Sequence, residues 1–491
     1  MSVHLQVLIV VIPLLAAPLL VLLRGATAPW ALATAVSWSV LAIALWLVAE
    51  VQVHGQLSYA LGGWAAPWGI EYRLDAANAM VQLLVAMVAA VVLPYARLSA
   101  GREVDPEQQP GMYAAMMLLL AGLLGISATG DAFNVFVFLE ISSLSTYTLI
   151  ALGRDRRALT SAFRYLIMGT IGATFFLIGV GLLYALTGTL NMADLAERLP
   201  AVASTRTAHT AAAFLVVGIC LKLALFPLHL WLPNAYTYAP SAVTALVAAT
   251  ATKVAAYVLI RFLYTIFGIH FSFGELPLSQ ILMVLAVIGM LVASAVAIRQ
   301  PDAKRLLAYS SIAQVGYITL GLALGSVLGL TAALLHMFNH ALMKGALFMA
   351  LGCIAWRVGS TRVDQLKGLG RDMPWTMAAF VVGGLSLIGV PLTVGFISKW
   401  YLILAALEQG WWVLIAAIVI SSLMAVVYIW RIVEIAWFQQ SESRDHTREV
   451  PLGLLLPTWL LALANLWFGI DTRLTIGIAD QAARALIGSA P

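Results

Sequence analysis

Apolar runs of close to twenty residues alternate along this chain with short connectors that hold most of its charge. A helix of about 20 apolar residues covers a hydrocarbon core of about 30 Å. Runs of that kind begin near residues 3, 30, 77, 112, 132, 161, 209, 241, 277, 305, 329, 375, 411 and 451. The pattern predicts an all-α polytopic membrane protein with about fourteen transmembrane helices. The first run, roughly Leu5 to Leu23, precedes its nearest arginine, Arg24, and the triplet Ala26-Thr27-Ala28 is followed by Pro29, so it reads as a retained span and not a cleaved leader. Ile476 to Pro491 reads as a short amphipathic interfacial helix.

Composition agrees with this pattern. Charged residues make up 10% of the 491 positions, against about 25% in an average soluble domain, and the mean hydropathy is +0.96. No polar stretch is long enough for a large extramembrane catalytic domain. The basic pI of about 9.2 does not signal nucleic acid, because the basic residues are scattered between apolar runs and not massed on one face. Cys220 and Cys353 lie far apart inside apolar runs and offer no disulfide framework and no zinc or iron–sulfur spacing. The chain is therefore predicted to carry no cofactor and no metal, and any redox centre belongs to another chain.

Charge placement tests the span count. Connectors after odd-numbered spans hold fifteen basic residues: Arg24, Arg97, Arg102, the Arg154–Arg157 cluster, Arg299, Lys304, Arg305, Arg357, Arg362, Lys367, Arg371, Arg444 and Arg448. The other side holds six: Arg73, Arg198, Arg206, Arg261, Arg473 and Arg484. That asymmetry is a positive-inside bias, and with an even number of spans it puts both termini on the outer side.

Lys222, Lys253, Lys344 and Lys399 fall well inside apolar runs, and Glu140 is the one acid clearly inside a span. A lysine at the bilayer centre costs about 2.5–3.5 kcal/mol on insertion scales, so these side chains are expected to face a wet or protein-lined interior. Burial disfavours the charged form of either group, whereas apposition favours both, so a Glu140–Lys222 pair is a candidate proton site. His336, His340 and Lys344 recur at i, i+4 and i+8, which draws a polar stripe along one helix face. Imidazole accepts and donates protons near neutral pH and suits a relay between lysines. His229, Asn339, Ser310, Ser311, Thr393 and Ser398 are candidates to hold water between these sites.

Two spans, the seventh and the twelfth, carry a proline beside a buried lysine: Lys222-Leu-Ala-Leu-Phe-Pro227, and Pro391 ahead of Lys399. Proline at membrane depth breaks backbone pairing and is tolerated where the freed groups face protein or water. Five spans separate the two, which gives them opposite directions and predicts two inverted five-helix repeats, each with a broken helix. The expected organisation is 1–110 for the first three helices, 111–265 for the first repeat, 275–438 for the second, and 450–491 for the last helix and tail.

Several motifs carry a resemblance. They are Phe133-Asn-Val-Phe-Val-Phe-Leu-Glu140-Ile-Ser-Ser, Tyr184-Ala-Leu-Thr-Gly-Thr-Leu-Asn191, Lys222 through Pro233, Leu306 through Gly316, and His336 through Phe348. Together they resemble the antiporter-like subunits shared by respiratory complex I, membrane-bound hydrogenases and Mrp-type multisubunit cation/proton antiporters. The chain length and the segment from Leu61 to Tyr72 look most like the Mrp-type D subunit. The resemblance implies that Glu140 partners Lys222, that Lys253 is a central relay, that His336, His340 and Lys344 carry protons onward, and that Lys399 is the terminal site. It implies partner membrane subunits and a bacterial inner membrane location, with proton exchange against sodium or another monovalent cation. Two other settings share these residues: a proton-pumping subunit of a redox-driven NADH:quinone oxidoreductase or hydrogenase, and the energy-coupling subunit of an inorganic-carbon uptake complex.

Overall fold

The computed structural model describes residues 4–440 and 448–488. Arg444, one of the fifteen basic connector residues, and positions 489–491 of the predicted tail lie outside the described residues. The first group of helices is α1 (Leu5–Leu22), α2 (Thr27–His54) and α3 (Ala76–Glu103). Next come α4 (Gln109–Ala128), α5 (Ala132–Ala151), α6 (Arg157–Thr187), the short α7 (Met192–Arg198), α8 (Arg206–Leu223), α9 (Leu232–Tyr238) and α10 (Ser241–Ile260). A second set follows: α11 (Leu278–Ile298), α12 (Ala303–Ala323), α13 (Val327–Val358), α14 (Leu369–Asp372), α15 (Pro374–Ile388), α16 (Val394–Glu408) and α17 (Trp412–Phe438). The chain closes with α18 (Leu452–Ile470) and α19 (Arg473–Gly488).

Among the described residues, thirteen helices are long and apolar enough to cross a membrane. The remaining predicted span, from about residue 375, is divided into α15 and α16. One element departs from the helical expectation: a two-stranded antiparallel hairpin, β1 (Leu57–Ala60) with β2 (Glu71–Leu74), pairs Leu57 with Leu74. The amphipathic tail is helical, and its buried face, with Ile478, Ala482 and Leu486, packs on α13 and α3 and not only at an interface.

The two five-span sets share internal geometry beyond a proline. Asp131 caps α5 by accepting from the Asn134 amide, and Asp302 caps α12 by accepting from the Arg305 amide. Each cap also lies beside the segment that leaves the third span of its set, as Asp131 with Asn191 and Asp302 with Arg362. The flanking bonds match: Ala132 N–H donates to Leu190 O and Met192 N–H to Gly130 O, while Ala303 N–H donates to Thr361 O and Val363 N–H to Pro301 O. Every pair is repeated at one constant offset along the chain.

Both predicted breaks are present. α8 stops at Leu223 and α9 begins at Leu232, with Pro227 between them; α15 stops at Ile388 and α16 begins at Val394, with Pro391 between them. Ala224 (φ 59°) and Leu392 (φ 72°) are the only non-glycine residues with positive φ among the described residues, and each sits in one break. Side-chain-bearing residues in that region carry about 1–3 kcal/mol of strain, which persists only where the surroundings enforce it.

The ends of the 28-residue α3 mark two opposite faces. Arg73, Asp75 and Arg261 line a cavity of about 490 Å³ at its N-terminal end. Arg102, Arg154, Arg157, Lys304, Arg357 and Arg362 gather around a second cavity at its C-terminal end. Six basic residues of one connector group thus line one cavity, and Arg73 and Arg261 of the other group line the other.

Arg261 is not the loop residue that its place in the charge sorting implies. It is buried directly after the last residue of α10 and forks onto Asp75, with Nη1 2.8 Å from Oδ2 and Nη2 2.9 Å from Oδ1. Nη2 also donates to Asn78 Oδ1 at 2.7 Å, and Nε to Tyr257 Oη at 3.1 Å. Asp75 and Asn78 form a reciprocal capping box at the start of α3, so one ion pair joins two helix ends. Burial pushes the Asp75 carboxyl up, but the Arg261 charge and hydrogen bond, with the Asn78 and Ala77 amides, outweigh it and hold the group below its usual range.

A carboxyl depressed in the folded state stabilises the fold above its unfolded value of about 3.9, and that contribution is lost as pH falls through the folded value. Asp75→Asn keeps a good N-cap and removes the charge. It is expected to cost about 3 kcal/mol at pH 7, as breaking a buried pair does, with the deficit shrinking as pH drops below the ordinary carboxylate range. Thermal unfolding of the protein in lipid nanodiscs across pH checks this; a pH-independent deficit would contradict it.

Candidate functional site

Glu140 lies a little over two turns into α5, and Lys222 lies in the last turn of α8, just ahead of the break. A cation there benefits from the negative end of the helix and its unpaired carbonyls. Lys222 Nζ donates to Ser143 Oγ at 2.7 Å and stands 3.4 Å from Glu140 Oε1. The lysine side chain is only 6% exposed, whereas that of Glu140 is 26% exposed, between the outward-facing Val137 and Leu144. The two ends of this ion pair therefore differ in access: the ammonium is enclosed and the carboxylate looks outward. His229, in the break, is buried with its ring stacked on Phe226 and edge-on to Tyr309.

Lys253 is fully enclosed near the middle of α10. Its ammonium donates to the Ala248 carbonyl at 2.5 Å and to Thr252 Oγ1 at 3.3 Å, and no carboxylate reaches it among the described residues. α10 packs along α13, which brings Lys253 within electrostatic reach of His336, His340 and Lys344.

The α13 stripe divides. The rings of His336 and His340 stack at 6.1 Å between centroids, 14° from parallel. His336 is anchored at both nitrogens, Nδ1 2.8 Å from Ser398 Oγ and Nε2 2.9 Å from Gln314 Oε1. Both ring nitrogens of His340 are buried without a protein partner. Lys344 turns aside to α12, donating to the Leu307 carbonyl at 2.8 Å and to Ser310 Oγ. Asn339 Nδ2 donates to the Val394 carbonyl at 2.7 Å and fixes α13 to the start of α16.

Lys399 reaches back from α16 across the second break. Its ammonium donates to the carbonyls of Leu387 and Ile388, at 2.9 Å each, and to Ser422 Oγ at 3.0 Å, and it stands 4.9 Å over the Tyr317 ring. The carbonyls freed where α15 stops are those that hold this charge. Ser398, its neighbour on α16, is the hydroxyl bound to His336, so the histidine pair and the terminal lysine meet at one point.

Of the predicted residues, the structure joins Glu140 with Lys222, stacks His336 on His340, and seats Lys399 beside the His336 anchor. Lys253 and Lys344 contact other carbonyls and hydroxyls, and neither is bonded to another member of the set. Ser310 and Ser398 hold a lysine and a histidine directly, while Ser311 and Thr393 only bond back to their own backbone, to Leu307 O and Val390 O. Ser143 and Gln314 are site residues that the sequence pattern does not single out. Ser143 follows Glu140 at i+3, on the same face, and this spacing is the available signal; Gln314 occupies the same place in the second set that Ser143 occupies in the first.

Residues 129–425 match the family described as the transmembrane part of NADH:quinone oxidoreductase/Mrp antiporter proteins. A protein of Desulforudis audaxviator named as the N subunit of NADH-quinone oxidoreductase is 45% identical over 98% of this chain and 99% of its own. The D subunit of the Na(+)/H(+) antiporter of Bacillus subtilis is 31% identical over 97% of this chain and 96% of its own. A chain in the solved Mrp complex from Dietzia sp. superposes with a TM-score of 0.89 at 27% identity, covering 99% of this chain and 97% of that one. The chain is a multi-pass membrane protein that belongs to the family of antiporter-like subunits common to NADH:quinone oxidoreductases and Mrp antiporters.

Proposed function

We propose that this chain translocates protons as a subunit of a multisubunit Na+ or other monovalent cation/H+ antiporter, through a buried path from Glu140 to Lys399. The observation that carries the reading is the run of enclosed proton-exchanging groups linking both broken helices: Lys222 at the end of α8, Lys253 in α10, His340 and His336 on α13, and Lys399 at the break of α15 and α16. Full-length likeness to an antiporter D subunit and to a chain of an Mrp complex supports the antiporter setting. The 45% identity to a protein named as an oxidoreductase N subunit supports a second setting, a redox-driven complex, and the same residues serve both. In either one the chain supplies the ion path and holds no redox chemistry of its own. We place it in the bacterial plasma membrane, with the Arg154–Arg157 face cytoplasmic and both termini outside, on the strength of the charge asymmetry.

The mechanism rests on charge coupling. With Glu140 facing it, Lys222 is held charged; when Glu140 turns outward or is neutralised, the lysine keeps only Ser143 and releases its proton toward Lys253. His340, with both nitrogens free of protein partners, takes a proton on one side and returns it on the other. His336 continues through Ser398 to Lys399, and Lys344 forms a side branch on α12. Glu140 is the exposed end of this chain of groups, which makes it the receiver for charge on a neighbouring subunit.

Lys222→Ala, Lys253→Ala and Lys399→Ala, each in the assembled complex, are expected to lower ion-driven proton movement in vesicles at least tenfold, and unchanged transport in all three would refute the path. Glu140→Gln is expected to abolish transport while the complex still assembles; loss of assembly instead would mark a static pair that only fixes packing. The subunit composition of the purified complex separates the two settings: small antiporter subunits accompany one, and quinone-reductase subunits the other.

A further inference from the structure

The cavity at the C-terminal end of α3 has a volume of about 660 Å³ and lies between the two five-span sets, walled by the α5–α6 connector, the end of α9, the start of α12 and the end of α13. Six basic residues and three acids line it. The acids are all committed elsewhere. Glu103 takes the Ser241 amide and hydroxyl at 2.6 Å each, Asp302 takes the Arg305 amide and the Thr361 hydroxyl, and Asp155 is forked by Arg157. Arg362 is likewise engaged by Asp364, outside the cavity.

Four cations remain without a carboxylate partner among the described residues: Arg102, Arg154, Lys304 and Arg357. Lys304 is the most telling. It is 5% exposed, and its ammonium has one hydrogen-bond partner among the described residues, the Ala239 carbonyl at 3.4 Å. Arg357 donates to the Glu449 carbonyl through Nη2, but its Nε is buried with no partner. Arg102 and Arg357 both stand near the Trp356 ring, at 3.8 and 5.2 Å from its centre, and Arg102, though exposed, also donates to the Trp356 carbonyl, so the ring and this bond hold both guanidiniums at the cavity wall. An enclosed ammonium with one neutral partner and a guanidinium with an unpaired buried N–H, both on residues that line one cavity, are costly unless an anion satisfies them.

We propose that this cavity is a binding site for an anionic phosphate group, held by Lys304, Arg357 and Arg102. A phosphate group offers the oxygens that a guanidinium fork and an ammonium bind best, and basic pockets between spans on the cytoplasmic side suit anionic headgroups. Two sources share this chemistry, the headgroup of an anionic phospholipid and a free phosphate.

The test uses the full chain in its complex. In the first arm the complex, reconstituted in nanodiscs of phosphatidylglycerol or of phosphatidylcholine, is released into detergent and its retained lipid read by native mass spectrometry. In the second, delipidated complex is titrated with inorganic phosphate by calorimetry. Binding in the first arm selective for phosphatidylglycerol identifies a lipid; saturable binding in the second identifies a free phosphate. In the arm that responds, the double variant Lys304→Gln with Arg357→Gln is expected to bind at least tenfold more weakly, Lys304→Arg to retain binding, and Arg448→Gln, an exposed arginine outside the cavity, to be unaffected. Thermal stability of each variant complex shows that it is folded. Equal retention of both lipids with no phosphate binding, or unchanged binding in the double variant, would overturn the proposal.

Discussion

An ammonium buried among apolar helices has to be given oxygen atoms, and most of this architecture can be read as the means of supplying them. Among the described residues, one of the four intraspan lysines meets a carboxylate, Lys222 at 3.4 Å from Glu140. The other three are held by neutral groups: Lys253 by the Ala248 carbonyl, Lys344 by Leu307 and Ser310, and Lys399 by Leu387, Ile388 and Ser422. A fixed counter-ion would hold the proton in place. Carbonyls and hydroxyls solvate the charge without fixing it, which suits the proton transfer proposed above.

The helix breaks follow from the same need. An intact helix consumes its carbonyls internally, so a lysine inside a bundle finds few acceptors. Stopping α15 at Ile388 frees the carbonyls that Lys399 uses, and stopping α8 at Leu223 leaves Lys222 at a negatively polarised end. The cost is visible in the backbone, since Ala224 and Leu392 take left-handed conformations that side-chain-bearing residues avoid. Among the described residues, these two left-handed side-chain-bearing positions fall one in each break, close to Lys222 and Lys399.

The duplicated architecture then puts two such breaks on one line. The paired caps at Asp131 and Asp302 and their identical bonds to the segments after α6 and α13 fix the second and third spans of each set in the same relation. The α10 and α13 helices cross the seam between the sets, and they carry Lys253 and the histidine pair. The two units differ in one charged position: Glu140 gives the first a partly exposed acid, and Ser311 stands at the matching position of the second. Their lysines also lie on opposite sides of the proline, Lys222 before Pro227 and Lys399 after Pro391.

By itself the sequence determined the number and order of the spans, the two broken helices and the identity of the intraspan ionisable residues, because each is written in local terms: run length, a proline at depth, or a charge where charge is expensive. It also sorted the connectors by sign, since that bias accumulates over many residues. What each side chain touches was decided only by tertiary structure. The i, i+4, i+8 spacing puts Lys344 on the face of His336 and His340, yet α12 presents the Leu307 carbonyl and Ser310, and the flexible lysine stem follows the acceptors. Arg261 and Lys304 read as loop charges in the sequence because they end or begin a span, and both are buried; Glu103, the last residue of α3, holds the start of α10 at Ser241. Such contacts join residues far apart in the chain, where no local pattern records the partner, and only packing brings the partner within reach.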